Sequence, residues 1–407
     1  MELSKLTLEI FTNLEKKWLS DCGNPNLWKK TRILSIDGGG GGRIKGLVSG
    51  QALIHLEDQI RSKTGDPDAR IADYFDVVAG TGIGGILAAM LTADGGNGRP
   101  LFTAEDAVRF LTEKLSEIFK PAGVFRRKWR FSGKRLEKVL KEALKASDGR
   151  ILTLKDTCKP LLVPCYDLNS SAPFVFSRAD ASDCPSFDFE LWRVCRATSA
   201  TPSHFKPFEL RSVDGKTSCL AVDGGLVMNN PSAAAVTHVL HNKRDFPLVN
   251  GVEDLMVLSL GNGPSSSRAP STRSIQGARG GSSTAAVVEI VLDGVSETVD
   301  QMLGNAFCWN RADYVRIQVN GFVAKGEKRW MDDAAAAGKR MLEEKGVESL
   351  PFGGKRLLTE TNGERMEKLV QRLVAAGKSL PPSPSKETAV CNWMSQTAIP
   401  SFEDYPL

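Results

Sequence analysis

The stretch Asp73–Leu91, DYFDVVAGTGIGGILAAML, constrains the chain more than any other. A strand-like run (Tyr74, Phe75, Val77, Val78) enters Gly80-Thr81-Gly82-Ile83-Gly84-Gly85, and an apolar run from Ile86 to Leu91 leaves it. Buried strand, glycine-dense turn and buried helix are the layout of a nucleophile elbow. Its turn is so tight that flanking positions must be glycine, and the central residue is pushed up at the strand's carboxyl end. In G-x-S-x-G hydrolases that residue is serine; here it is Gly82. The scaffold for a covalent nucleophile is present, and the hydroxyl expected on it is absent.

A second glycine-rich turn precedes it. The short buried strand Arg32-Ile33-Leu34-Ser35-Ile36 runs into Asp37, then Gly38, Gly39, Gly40, Gly41 and Gly42, then Arg43-Ile44-Lys45-Gly46. Glycines leave backbone N–H groups free to converge as an anion nest, and Leu53, Leu56 and Ile60 at helical spacing predict a helix whose N-terminus adds its dipole. A Rossmann fingerprint has no matching register, and a P-loop lacks its G-K-[ST] ending. An oxyanion hole and a flexible glycine turn without ligand both remain open for the loop taken alone. The third chemical stretch is Cys219-Leu220-Ala221-Val222-Asp223-Gly224-Gly225, a strand ending on a carboxylate. Asp223 alone would read as a turn cap; beside a glycine loop and an elbow it reads as a general base at a strand's carboxyl end.

Elsewhere the chain is less pointed. It has 407 residues, 41% of them apolar, and no linker divides it in half, so one large α/β domain is expected, with a mainly parallel sheet. Residues 1–30 read as an amphipathic extension, 31–262 as the core, 263–380 as a helical remainder of the same domain with a Ser/Gly/Arg-rich loop at 264–284, and 381–407 as a disordered tail. Basic residues, 53 against 48 acidic, are spread among the acids, so no nucleic-acid partner is expected. Arg126, Arg127, Lys128, Trp129 and Arg130 interleave cations with an aromatic, which suits either an anionic lipid surface or a solvated loop. The eight cysteines lack C-x-x-C spacing and are expected as reduced thiols, with no metal site and no cofactor. No leader or apolar run of membrane-spanning length appears, and a cytoplasmic protein is expected.

Together D-G-G-G, G-T-G-I-G and D-G-G, with Cys195-Arg196-Ala197-Thr198-Ser199-Ala200 and Val227-Met228-Asn229-Asn230-Pro231, resemble the patatin-like lipid acyl hydrolases over residues 32–262. The likeness is greatest to the plant subgroup whose elbow reads G-x-G-x-G. The resemblance implies a three-layer α/β/α fold and a Ser–Asp dyad cleaving fatty-acyl esters of phospholipids and galactolipids at the membrane surface. It places the oxyanion hole at Gly38, Gly39 and Gly40, the elbow at Gly80, Thr81 and Gly84, the dyad base at Asp223, and Gly82 at the serine position. The family's arginine usually follows its triple glycine by two residues, whereas here Gly41 and Gly42 displace Arg43. Acyl transfer through a covalent intermediate needs an activated oxygen or sulfur. Three outcomes remain open: Asp223 activating a water, Thr81 or Ser199 substituting for the serine, or lipid binding without hydrolysis.

Overall fold

A computed structural model describes residues 30–38, 45–119, 131–202, 204–263, 284–318, 330–350 and 353–379. Gly39 and Gly40, the basic stretch Arg126–Arg130, residues 1–29, the loop 264–283 and the tail 381–407 lie outside the described residues.

The first half alternates strand and helix. β1 (Thr31–Ile36) leads to α1 (Lys45–Thr64), β2 (Val77–Gly80) to α2 (Gly82–Thr92), and α3 (Ala104–Ile118) and α4 (Gly133–Ala143) follow before β3 (Leu161–Asp167). Then come β4 (Ala172–Ser177), α5 (Arg178–Asp183), α6 (Leu191–Thr198), β5 (Phe208–Arg211), β6 (Ser218–Asp223), α7 (Gly225–Met228) and α8 (Ser232–His241). The chain closes with β7 (Leu255–Leu260), α9 (Thr284–Ala306), β8 (Tyr314–Ile317), α10 (Trp330–Glu343), the hairpin β9 (Lys345–Leu350) and β10 (Gly354–Thr361), and α11 (Asn362–Ala375). The strand expected from Tyr74 begins only at Val77. Asp76 intervenes, its carboxylate accepting the Arg32 N–H at 2.8 Å, and Tyr74 and Phe75 turn into the core instead.

β3, β2, β1, β7 and β8 lie side by side and parallel, while β4, β5 and β6 extend the sheet antiparallel. Side chains of one strand enter opposite cores. Ile33 packs with Val77, Val257 and Val236 of α8, whereas Leu34 and Ile36 pack with Leu53 of α1 and Leu87 of α2. A sheet buried on both faces is the middle of a three-layer α/β/α sandwich, and its strands are continuous apolar runs for that reason. No described helix is long and apolar enough to cross a membrane.

The route of β6 matters most for the site. β4 covers one edge of β3 along residues 162–167. β2 and β6 must therefore share the other edge, β2 at Leu161 and Leu162 and β6 at Cys165 to Asp167. β2 rises along β3 and stops at Gly80; β6 descends along the projecting part of β3 and stops at Asp223, opposite Cys165. The ends of the two strands face each other about two residue steps apart, roughly 7 Å at the usual rise of a strand.

Candidate active site

The elbow is built from backbone contacts that exclude side chains. A Cβ on Gly80 would lie 2.3 Å from the Gly84 carbonyl oxygen, and one on Gly84 would lie 2.4 Å from the Ile36 and 2.5 Å from the Asp37 carbonyl oxygens. These distances let α2 start directly against β1 and β2. Gly82 has φ +54°, the left-handed region that a residue with a Cβ enters only at a cost of about 1–2 kcal/mol. The strained turn of an elbow is thus present, occupied by the residue for which it is not strained.

Thr81 sits beneath this turn, fully buried, and its hydroxyl donates to the Met228 carbonyl at 2.7 Å. That bond places it against the structural core, so Thr81 is not the substitute nucleophile left open by the sequence. Ser199, buried at the end of α6, has an Oγ with no hydrogen-bond partner among the described residues, hence no base among them to activate it. Thr198 instead takes a role the sequence did not single out. Its hydroxyl accepts the Gly82 N–H at 2.9 Å and donates to the Pro164 carbonyl at 2.7 Å, tying the elbow to β3.

Asp223 is held by both carboxylate oxygens. Thr201 Oγ1 donates to Oδ2 at 2.5 Å, and the Gly225 N–H donates to Oδ1 at 2.8 Å. Burial pushes the carboxyl up from its usual range, against the pull of these two hydrogen bonds. Asp223 ends its strand, as expected, but β6 is antiparallel to β3 and so runs against the direction of the parallel strands.

The glycine loop is anchored at its root. The Arg316 guanidinium, on β8, donates to both carboxylate oxygens of Asp37 at 2.8 and 2.6 Å and to Ser259 Oγ at 2.8 Å. Asn262 Nδ2 donates to the Asp37 and Gly38 carbonyls, each at 3.1 Å. The Gly38 N–H donates to the Asn229 carbonyl at 3.0 Å, which corrects its assignment to the oxyanion hole: that amide is already spent on the scaffold. A Cβ on Gly38 would stand 2.9 Å from Asn229 Oδ1 and 3.2 Å from Thr81 Cγ2, so Gly38, the elbow and the segment after Asp223 converge on one place. Asn229 Oδ1 itself is buried there with no hydrogen-bond partner among the described residues. Arg316, Asn262 and Thr201 were not legible beforehand, and Thr198 stood in a recognised stretch with no role attached, because each lies far in sequence from the group it holds.

Among the described residues no cluster of three or more His, Cys, Asp or Glu could hold a metal ion. Cys158, Cys165, Cys195, Cys219 and Cys308 are free thiols, while Cys184 is disulfide-bonded, against the expectation of reduced thiols throughout.

The sequence profile described as patatin-like phospholipase matches residues 34–236. "Probable inactive patatin-like protein 9" of Arabidopsis thaliana is 66% identical over 393 residues, covering 96% of this chain and 98% of the relative. "Patatin-like protein 6" of the same plant is 48% identical, covering 85% of this chain and 71% of the relative. "Patatin-like protein 7", also from Arabidopsis, is 44% identical, covering 92% and 81%. With the elbow, the anchored glycine loop and the buried aspartate converging, the chain belongs to the patatin-like phospholipase family.

Proposed function

We propose that the protein binds acyl-ester lipids, phospholipids or galactolipids, between the elbow and Asp223 without forming a covalent acyl intermediate. One observation carries this reading: the elbow apex is glycine, and the neighbouring Thr81 hydroxyl is bonded to Met228 while Ser199 has no base among the described residues. Without an activated nucleophile the covalent route is closed. The name "Probable inactive" borne by a relative at 66% identity supports it. A second reading is favoured by the upward shift of Asp223, which makes it a stronger base toward a water placed where the serine hydroxyl would lie. Sites stripped of a catalytic residue retain on the order of 10³–10⁴-fold catalysis over water from binding and oxyanion stabilisation alone.

Two measurements on purified protein separate these readings. Wild type and Asp223→Asn are compared for release of fatty acid from phosphatidylcholine and monogalactosyl-diacylglycerol vesicles, with binding measured in parallel. Binding with equal, background-level release supports the first reading; release by wild type that Asp223→Asn abolishes replaces it with the second. Gly82→Ser then tests the scaffold. We expect it to gain ester hydrolysis and labelling by a serine-directed phosphonate, at a stability cost of about 1–2 kcal/mol from the left-handed φ. A folded Gly82→Ser that neither hydrolyses nor labels means the loop no longer stabilises an oxyanion.

A further inference from the structure

A cavity of about 330 Å³ opens beside β8, away from Asp223, between α9, the β9–β10 hairpin and α11. Its size falls in the range that holds one small ligand. Phe307, Leu358 and Leu369 give it apolar wall, and Arg311, Arg356, Arg365 and Lys368 line it with cations. The carboxylates of the same wall are already engaged. Asp300 accepts the Tyr314 hydroxyl at 2.8 Å and the Ser349 hydroxyl at 2.6 Å. Glu348 is shared by Arg311, at 3.6 Å, and Arg356, and Glu360 holds Lys368 at 2.5 Å.

Arg365 is the exception. Among the described residues its guanidinium makes one hydrogen bond, Nη1 to the Arg316 carbonyl at 2.6 Å, and no carboxylate lies within 4.0 Å of it. Asp300, Glu348 and Glu360 act on it only from farther away, while burial opposes its charge. A half-buried cation with no carboxylate in contact among the described residues carries a desolvation cost that an anion with an alkyl body would offset.

We propose that this cavity binds a single amphipathic anion, an alkyl chain bearing a carboxylate or phosphate head, with the head on Arg365 and the chain along Phe307 and Leu369. Gly304 provides a clean occlusion. It lies in α9 at the cavity wall, and a Cβ there would meet nothing nearer than the Ser349 carbonyl oxygen at 3.9 Å. Gly304→Leu therefore starts from an unclashed Cβ at the cavity wall and improves helix propensity.

Binding of dodecanoate and dodecyl phosphate to the full chain is measured by calorimetry, with dodecyltrimethylammonium and inorganic phosphate as controls. The expected result is saturable one-to-one binding of both anionic amphiphiles, at least tenfold tighter than of the cation, with no binding of inorganic phosphate. Gly304→Leu and Arg365→Met, each checked for a native thermal transition, should weaken binding at least tenfold, and Asp223→Asn should leave it unchanged. Phosphatidic acid vesicles assign the source. Vesicle binding lost in Gly304→Leu means a membrane-borne head, and soluble-amphiphile binding alone means a free one; either supports the site. Unchanged affinity in a folded Gly304→Leu, equal binding of the cation, saturable binding of inorganic phosphate, or loss of binding in Asp223→Asn would each overturn it.

Discussion

Asp223 keeps a charge in a place where charge is costly, and the fold should gain by losing it. Burial raises its carboxyl above the unfolded value, so the native state holds the proton more tightly than the unfolded chain does. The penalty on stability is absent below the unfolded pKa, near 3.9 for an aspartate, and grows as pH rises through the native pKa. Asparagine retains both contacts, its Oδ1 taking the Gly225 N–H and its Nδ2 meeting Thr201 Oγ1. Asp223→Asn should therefore raise stability at neutral pH by on the order of 1 kcal/mol, because it removes a desolvated charge and keeps its contacts. Denaturant titrations across pH check this: the gain should vanish near pH 4, and a gain independent of pH would contradict it. Asp37 is likewise raised by burial, but unlike Asp223 it has a cationic partner that opposes the rise. Its side chain and that of Arg316 are almost wholly buried as a bidentate pair, so Asp37→Ala leaves a buried guanidinium uncompensated and should cost about 3–5 kcal/mol. A loss below 1 kcal/mol in urea unfolding would mean that Ser259 and Ser296 suffice to hold Arg316.

The elbow is where an element is set by backbone contact. α2 can begin against β1 only while position 84 has no side chain, because the Ile36 and Asp37 carbonyl oxygens already fill that space. Gly84→Ala should push α2 off the sheet and destabilise by roughly 3 kcal/mol, the upper end of overpacking costs, whereas Gly82→Ala should cost only the ~1–2 kcal/mol of its left-handed φ. Paired thermal melts test the order, and equal losses would count against it. In α6 the decisive feature is a buried charge. Arg196 is wholly enclosed, its guanidinium 5.0 Å from the rings of Phe205 and of Phe208 and 3.6 Å from Glu137. Burial pulls its pKa down to about 10, against the opposing carboxylate of Glu137. A methionine fills the same slot without desolvation, and Glu137 is partly solvated and not stranded. Arg196→Met should change stability by less than about 1 kcal/mol, or raise it; a larger loss would show that the ion pair does more than its geometry implies.

At the scale of the whole molecule, the family profile stops at residue 236, but the sheet does not. β7 pairs with β1 along all six residues, Arg316 on β8 holds Asp37, and Met366, Leu369, Val370 and Leu373 of α11 are buried in the same core as Leu34 and Ile36. A fragment of residues 31–262 should therefore lack a cooperative thermal transition by circular dichroism; a sharp melt would show that the later elements are dispensable. Interior strands and helices were legible because burial on both faces leaves continuous apolar runs or 3.6-residue periodicity, as in Leu255–Leu260 and α1. β8, with an arginine in a four-residue strand, and the hairpin β9–β10, with Lys355, Arg356 and Glu348, were not, because their polar residues are satisfied by distant partners or solvent. By itself the sequence determined the elbow, the position of its missing hydroxyl and the candidate base, since each depends on residue types adjacent in the chain. Only the tertiary structure decided that β6 meets β2 end to end along β3, and that Gly38 spends its amide on Asn229. It likewise decided that residues more than two hundred positions away hold the glycine loop. Strand direction and hydrogen-bond partners between distant segments depend on how the whole sheet packs, and no local pattern encodes that choice.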